Sequence, residues 1–413
     1  MNEQFLIGID NPILGNHKVF GQALLPGLAY IDMLYQLFRE NGFDYTQLEL
    51  RDVTIYNPLI VEHDRSVMLH VQCTEIHKGH WQIRIEGQEQ VNGILSVEKK
   101  HYISAEMHQC APVAFSEILD LHVIKQSANV KSLDEIYEKF RCHELVHSGF
   151  IKAEGTIYTL NNEAILDISL GQHALPSASE FMFHPTLMDG SGVGASDLMA
   201  SVLTETQQLF LPLFYKSFRA SALLQNTCLA RVPLSSIQSK NELIYFTLEF
   251  FDEFGNKAGE LSNLAAKRVR EPGLLQANRT NNASSLLEQP VSAPLATPAS
   301  AERVQLTSAE VEIFLQQLLA NQVKKPAHFI NTRMEYYEMG LDSSGLMEIV
   351  DAIEANLKVK LPPTLLFEYT TIAELAAYLI QNYASEFSRY SQIKQTNEQM
   401  DSKHQEKLSE LLY

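Results

Sequence analysis

His17 opens the run His-Lys-Val-Phe-Gly-Gln-Ala-Leu-Leu-Pro-Gly-Leu-Ala-Tyr, which sets an imidazole on an apolar segment and then turns through Pro26 and Gly27 into a helical pattern. An imidazole is the side chain best suited to take a proton near neutral pH. Gly27, with no Cβ, lets other atoms approach the first N–H groups of the helix, and free amides at a helix start stabilise negative charge on a bound oxygen. A base beside such an oxygen could remove a proton next to a carbonyl. A lone histidine before a helix would be ordinary. The spacing of His17, Gly21 and Pro26, H-x-x-x-G-x-x-x-x-P, is what singles this one out. A second candidate is Ser343 in Gly340-Leu-Asp-Ser343, at the start of another helical pattern, where Asp and Ser are also the common capping residues.

The elements that must position these residues can be read from periodicity. Leu28, Ile31, Leu34, Leu37 and Phe38 recur at helical spacing and predict a helix over 27–40. Strand-like runs follow at 67–73, 81–87 and 93–97, then a break near 110–114. The theme repeats with a helix near 136–140, strands at 150–158 and 164–170, a helix over 186–202, and strands at 243–251 and 259–268. By itself the pattern is α+β. Residues 273–305 are small, polar and proline-bearing, as in a flexible linker. Residues 306–384 read as a compact helical unit. It opens with a capping-type Thr307/Glu310 entry and an apolar face of Val311, Phe314, Leu315, Leu318 and Leu319. Further helices are expected after Ser343, near 365–369 and over 372–383, and a polar tail, disordered or helical, covers 385–413.

The 413 residues allow two or three domains, and a formal charge of −18 argues against nucleic acid or an anionic membrane as partner. No apolar run is long enough to span a bilayer and no signal peptide is evident, so a cytoplasmic setting is expected. The four cysteines lie apart with no C-x-x-C pair, which indicates neither a disulfide framework nor a zinc site, and no metal is expected.

The His17 motif, with Phe-Gly-Gln and Leu-Pro-Gly around it, resembles the first active-site motif of polyketide synthase dehydratase domains. His184-Pro185-Thr-Leu-Met-Asp189 resembles that family's H-P-x-x-x-D, and the segment from Leu211 to Arg219 is similar to the strand that follows it. The resemblance implies a double hot-dog domain over 1–272, with halves at about 1–110 and 131–272. It implies His17 as base and Asp189, kept protonated by an apolar tunnel, as acid. Gly27, Gly21 and Pro26 would then border the thioester oxygen and substrate. Residues 306–384 resemble an acyl carrier protein, a four-helix bundle. Ser343 matches the serine that receives 4′-phosphopantetheine. Eleven acidic against six basic residues between Glu302 and Glu374 suit a carrier that docks on basic enzymes.

The chain departs from the family at three places, the third being the glycines of the helix after Asp189. Where the family has Gln or His four residues after the aspartate, it has Val193; where the family has Tyr-Gly-Pro in the tunnel wall, it has His147-Ser148-Gly149. Gly190, Gly192 and Gly194 are expected to weaken the helix and open space. Gly190-Ser-Gly-Val-Gly-Ala195 also fits a dinucleotide fingerprint, but no strand leads into it.

The expected function is dehydration of a β-hydroxyacyl thioester in a split-module subunit of a trans-acyltransferase polyketide synthase. The partners would be ketosynthase, ketoreductase and acyltransferase on other chains and a phosphopantetheinyl transferase. A homodimer through the dehydratase domain and a docking role for the tail are further expectations. Two alternatives are a dehydratase-like isomerase or oxa-Michael cyclase, and a non-catalytic scaffold whose working residue is Ser343.

Overall fold

The computed structural model describes residues 1–202, 209–269 and 307–410. The linker expected at 273–305 and the last residues of the tail lie outside the described residues. The chain divides into two compact units, Met1–Arg270 and Glu271–Tyr413.

The first unit is organised around two helices and one long antiparallel sheet. The first helix, Ala29–Glu40, buries Ala29, Tyr30, Ile31, Leu34, Tyr35, Leu37 and Phe38. It starts two residues later than the periodicity predicts, because Pro26 and Gly27 form a turn in which the Ala29 N–H bonds the Pro26 carbonyl. Around it lie the strands Arg65–His77, His80–Val91, Lys100–Gln109 and Leu48–Ile55, adjacent in that order. Alternation puts Val67, Leu69 and Val71, then Trp81, Ile83 and Ile85, on the core side. Trp81 meets Phe38 of the helix edge to face.

Leu48–Ile55 also pairs with Phe210–Ala220, which carries the sheet on into the second half without a gap. There Lys257–Arg268, Leu243–Phe251, Thr227–Pro233, Glu163–Leu170 and Ala153–Thr159 continue it around the second helix, Pro185–Val202. This is the double hot-dog fold. Two glycines of the second helix, Gly190 and Gly194, do not open space, whereas a Cβ at Gly192 would meet only Leu28 Cδ1, at 3.8 Å. A Cβ at Gly194 would come within 2.0 Å of Leu166 Cδ2, and one at Gly190 within 2.9 Å of Ala153 Cβ, so both allow close packing on the sheet. The fingerprint-like glycines lie inside this helix, not in a strand-to-helix turn.

A second, four-stranded sheet is small but positions the site. It runs Leu145–His147, His17–Val19, Gln22–Leu24 and Ile60–Val61, with the strand from the second half paired to the one carrying His17.

The second unit is helical: Ser308–Val323, Ser343–Leu357, the short Leu365–Glu368, and Ile372–Glu410. The Thr307/Glu310 capping box forms as expected. The last helix is broken at Tyr383, whose backbone leaves the helical region, and then continues. Beyond the break Phe387 is buried against Phe314, with Tyr390 on the same ring. The start of the tail is therefore part of the helical core.

Candidate active site

His17 is held by its own hairpin. Phe20 and Gly21 both take positive φ, 50° and 78°, and make the tight turn between His17–Val19 and Gln22–Leu24. That register brings the Leu24 carbonyl to His17 Nδ1 at 2.6 Å. The Nδ1–H donates there, which leaves Nε2 as the free base. His17 is 3 % exposed, and its pKa falls to about 4, chiefly by burial, with Asp189 opposing and His147 adding to the fall. It is an uncharged imidazole at neutral pH.

Directly across the ladder from His17 stands His147. The two rings meet edge to face with centroids 4.8 Å apart. His147 Nε2–H donates to Asp189 Oδ2 at 2.8 Å, while its Nδ1 is buried without a hydrogen-bond partner among the described residues. A ring nitrogen of each histidine and a carboxylate oxygen of Asp189 all lie within 4.8 Å of one another. Burial pushes the Asp189 carboxyl up, but the charge and hydrogen bond of His147, with His17 behind them, outweigh it and hold the group below its usual range. The apolar surroundings therefore do not keep this acid protonated, contrary to expectation.

The helix that carries Asp189 is fixed at its start. Asp32, 3 % exposed on the first helix, accepts the Met182 N–H at 2.7 Å and the Phe183 N–H at 2.9 Å. Thr186 Oγ1 donates to the Phe150 carbonyl at 2.7 Å, and the Thr186 N–H donates to His184 Nδ1 at 3.2 Å. Two helices and two halves thus converge on one carboxylate.

Val193 lies one turn beyond Asp189 and is buried, with no polar atom to offer. The partner comes instead from His147, which the sequence placed in the substrate-tunnel wall. Pro26 and Gly27 sit in the turn just after Leu24; a Cβ at Gly27 would meet Ile55 Cδ1 at 2.7 Å and Pro212 Cβ at 3.1 Å. Gly21 lies exposed at the hairpin tip, where it sets register and does not line the site.

In the other unit Ser343 is the first residue of its 15-residue helix and is half-buried. Asp342 caps that helix by accepting the Gly345 N–H at 2.8 Å. A hydroxyl at the positive end of a helix suits a phosphodiester, whose negative charge the free N–H groups favour.

Residues 3–88 match the polyketide synthase dehydratase domain, residues 123–276 the polyketide synthase dehydratase N-terminal domain, and residues 314–379 a phosphopantetheine attachment site. The chain is 46% identical over 390 residues to polyketide synthase PksL of Bacillus subtilis, covering 94% of this chain and 9% of that protein. It is 43% identical over 385 residues to PksM of the same organism, covering 93% and 9%. It thus spans under a tenth of the length of these relatives. A monomeric dehydratase domain from a trans-AT polyketide synthase split module is 49% identical, with a TM-score of 0.64, and 99% of it is covered by 65% of this chain. No helix among the described residues is long and apolar enough to cross a membrane. With its fold, its paired motifs and these matches, the chain belongs to the polyketide synthase dehydratase family, and behind that domain it carries a carrier domain for covalent 4′-phosphopantetheine.

Proposed function

We propose that the first unit dehydrates a β-hydroxyacyl thioester to the α,β-unsaturated thioester, with His17 as base and Asp189 as acid. His17 Nε2 takes the α-proton, and the C–H electron pair moves toward the thioester carbonyl. The turn at Pro26–Gly27 and the helix start behind it are the place to receive the developing oxyanion. His17 passes the α-proton to the Asp189 carboxylate, which hands it to the β-hydroxyl as the C–O bond breaks and water leaves. His17 ends uncharged and Asp189 ionised, as they began, so proton and charge balance over one turnover.

The observation that carries this reading is the convergence of His17, His147 and Asp189 within 4.8 Å. That convergence favours catalysis over a scaffold role. All three residues come from one chain, so the site needs no second copy.

Phosphopantetheine, when attached, supplies the thioester-bearing thiol on a long arm. We assign its attachment to Ser343, loaded by a phosphopantetheinyl transferase. The ketosynthase, ketoreductase and acyltransferase steps fall to other polyketide synthase domains, in a cytoplasmic setting.

The test is to load Ser343 with β-hydroxyacyl-pantetheine and follow the intact chain by mass spectrometry. Loss of one water in the unmutated chain, and not in His17→Ala or Asp189→Asn, is the expected result. An unchanged mass across several acyl lengths would sink the proposal.

A further inference from the structure

A second convergent cluster lies on the opposite face of the first half's sheet, away from the core helix. His77, His80 and His108 form a row across three neighbouring strands, since His77 pairs with His80 and His80 with His108. Trp81 and Met107, next along two of those strands, point into the core, so His80 and His108 point outward. Glu106, two residues before His108, shares their face.

His80 Nε2 and His108 Nε2 both lie against Glu106 Oε2, at 3.0 and 2.9 Å. The two imidazoles stack at 3.8 Å between centroids. The three side chains are only 23%, 29% and 21% exposed for His80, Glu106 and His108. Their ligand-type atoms all fall within 4.8 Å of one another.

We propose that His80, His108 and Glu106 form a binding site for a late first-row divalent cation, with zinc as the ion it fits best. Two imidazoles and a carboxylate are the donors such ions take. Tetrahedral zinc with ligands at roughly 2.1 Å sets its donor atoms about 3.4 Å apart; each imidazole nitrogen lies 3.0 or 2.9 Å from the Glu106 oxygen, and all three donors lie within 4.8 Å. The strand ladder fixes the backbone of all three, so binding orders little that is not ordered already. On binding, each imidazole gives up the Nε2 proton it donates to Glu106, takes one on Nδ1 instead, and offers the Nε2 lone pair to the ion. Water fills the fourth position, or His77 does, its ring 6.2 Å from that of His80. The ion would clamp the ends of adjacent strands remote from the His17 motif. The four cysteines take no part, and ladder register alone brings these donors together.

The test is zinc titration of the metal-stripped full chain by calorimetry, with thermal melts alongside. One equivalent should bind and raise the melting temperature. Affinity should fall by at least ~10-fold in His80→Ala and in His108→Gln, since losing a direct ligand costs no less than losing a group behind one. It should persist in His147→Ala, which removes a histidine from the other convergent cluster. Circular dichroism of the metal-free variants checks that they fold. Binding that survives in both His80→Ala and His108→Gln, or no saturable binding by the unmutated chain, would overturn the proposal.

Discussion

His17 and His147 are direct partners across an antiparallel ladder, though 130 residues separate them in the chain. The pairing joins the two halves of the domain at the point where the base and acid we propose meet. It also sets His147 between the other two groups, edge-on to the His17 ring and hydrogen-bonded to Asp189. His147 is a positioning residue in this arrangement: its Nε2–H donates to the Asp189 carboxylate and fixes it.

Replacing His147 with alanine should therefore lower kcat by about 100-fold with a smaller change in KM, the usual scale for losing one acid–base contribution. It should also raise the pKa of Asp189, because burial then acts with less opposition. The pH–rate profile of single-turnover dehydration checks this. A purely structural role would lower the amount of folded protein and leave the profile in place.

Val193 offers a way to restore what that variant loses. It is buried one helical turn after Asp189, where a longer polar side chain could reach the same carboxylate. In a His147→Ala background, Val193→Gln should recover part of the activity. In the unmutated background the same change should lower it, since a buried amide would compete with His147 and leave polar atoms unpaired. If the double variant were no faster than His147→Ala, Asp189 would need the imidazole for its proton and not only for its orientation.

How much of this was legible in the sequence depends on how local each signal is. The hairpin and turn after His17, the helix bearing Asp189 and the cap before Ser343 all lie within short windows where spacing carries information. The His147–Asp189 bond does not, because it depends on a strand of three residues, Leu145–His147, finding a partner far along the chain. A histidine ending a short apolar strand just before a glycine was the available hint. Gly190 and Gly194 were not legible for a related reason: propensity weighs a glycine alone, whereas Ala153 and Leu166 packed against them decide their role.

Two buried histidines make stability depend on pH. His17 and His184 both have their pKa lowered from 6.5 to about 4, by burial above all. Their folded values lie below the unfolded one, so their contribution is fully present above pH ~6.5 and is lost as pH falls toward 4. Each shift corresponds to roughly 3 kcal/mol, with His17 coupled to its neighbours. Urea midpoints at a series of pH values should fall steadily across that window. His184→Asn, which keeps an acceptor for the Thr186 N–H, should flatten the fall; an unchanged slope would mean that His184 titrates normally.

Asp32 ties the first helix to the approach of the second and should matter for both stability and rate. Its carboxylate accepts two buried backbone N–H groups, those of Met182 and Phe183, and Gln36 adds a third donor. Burial raises its pKa, against these hydrogen bonds. Asp32→Ala would leave both N–H groups unpaired and should cost about 2–4 kcal/mol. Asp32→Asn keeps an oxygen in place and should cost less. Because the segment it holds leads straight into the helix of Asp189, turnover per folded molecule should fall in Asp32→Ala and recover in Asp32→Asn. Urea unfolding with active-site-normalised dehydration separates the two effects; equal turnover in both variants would confine Asp32 to holding the fold.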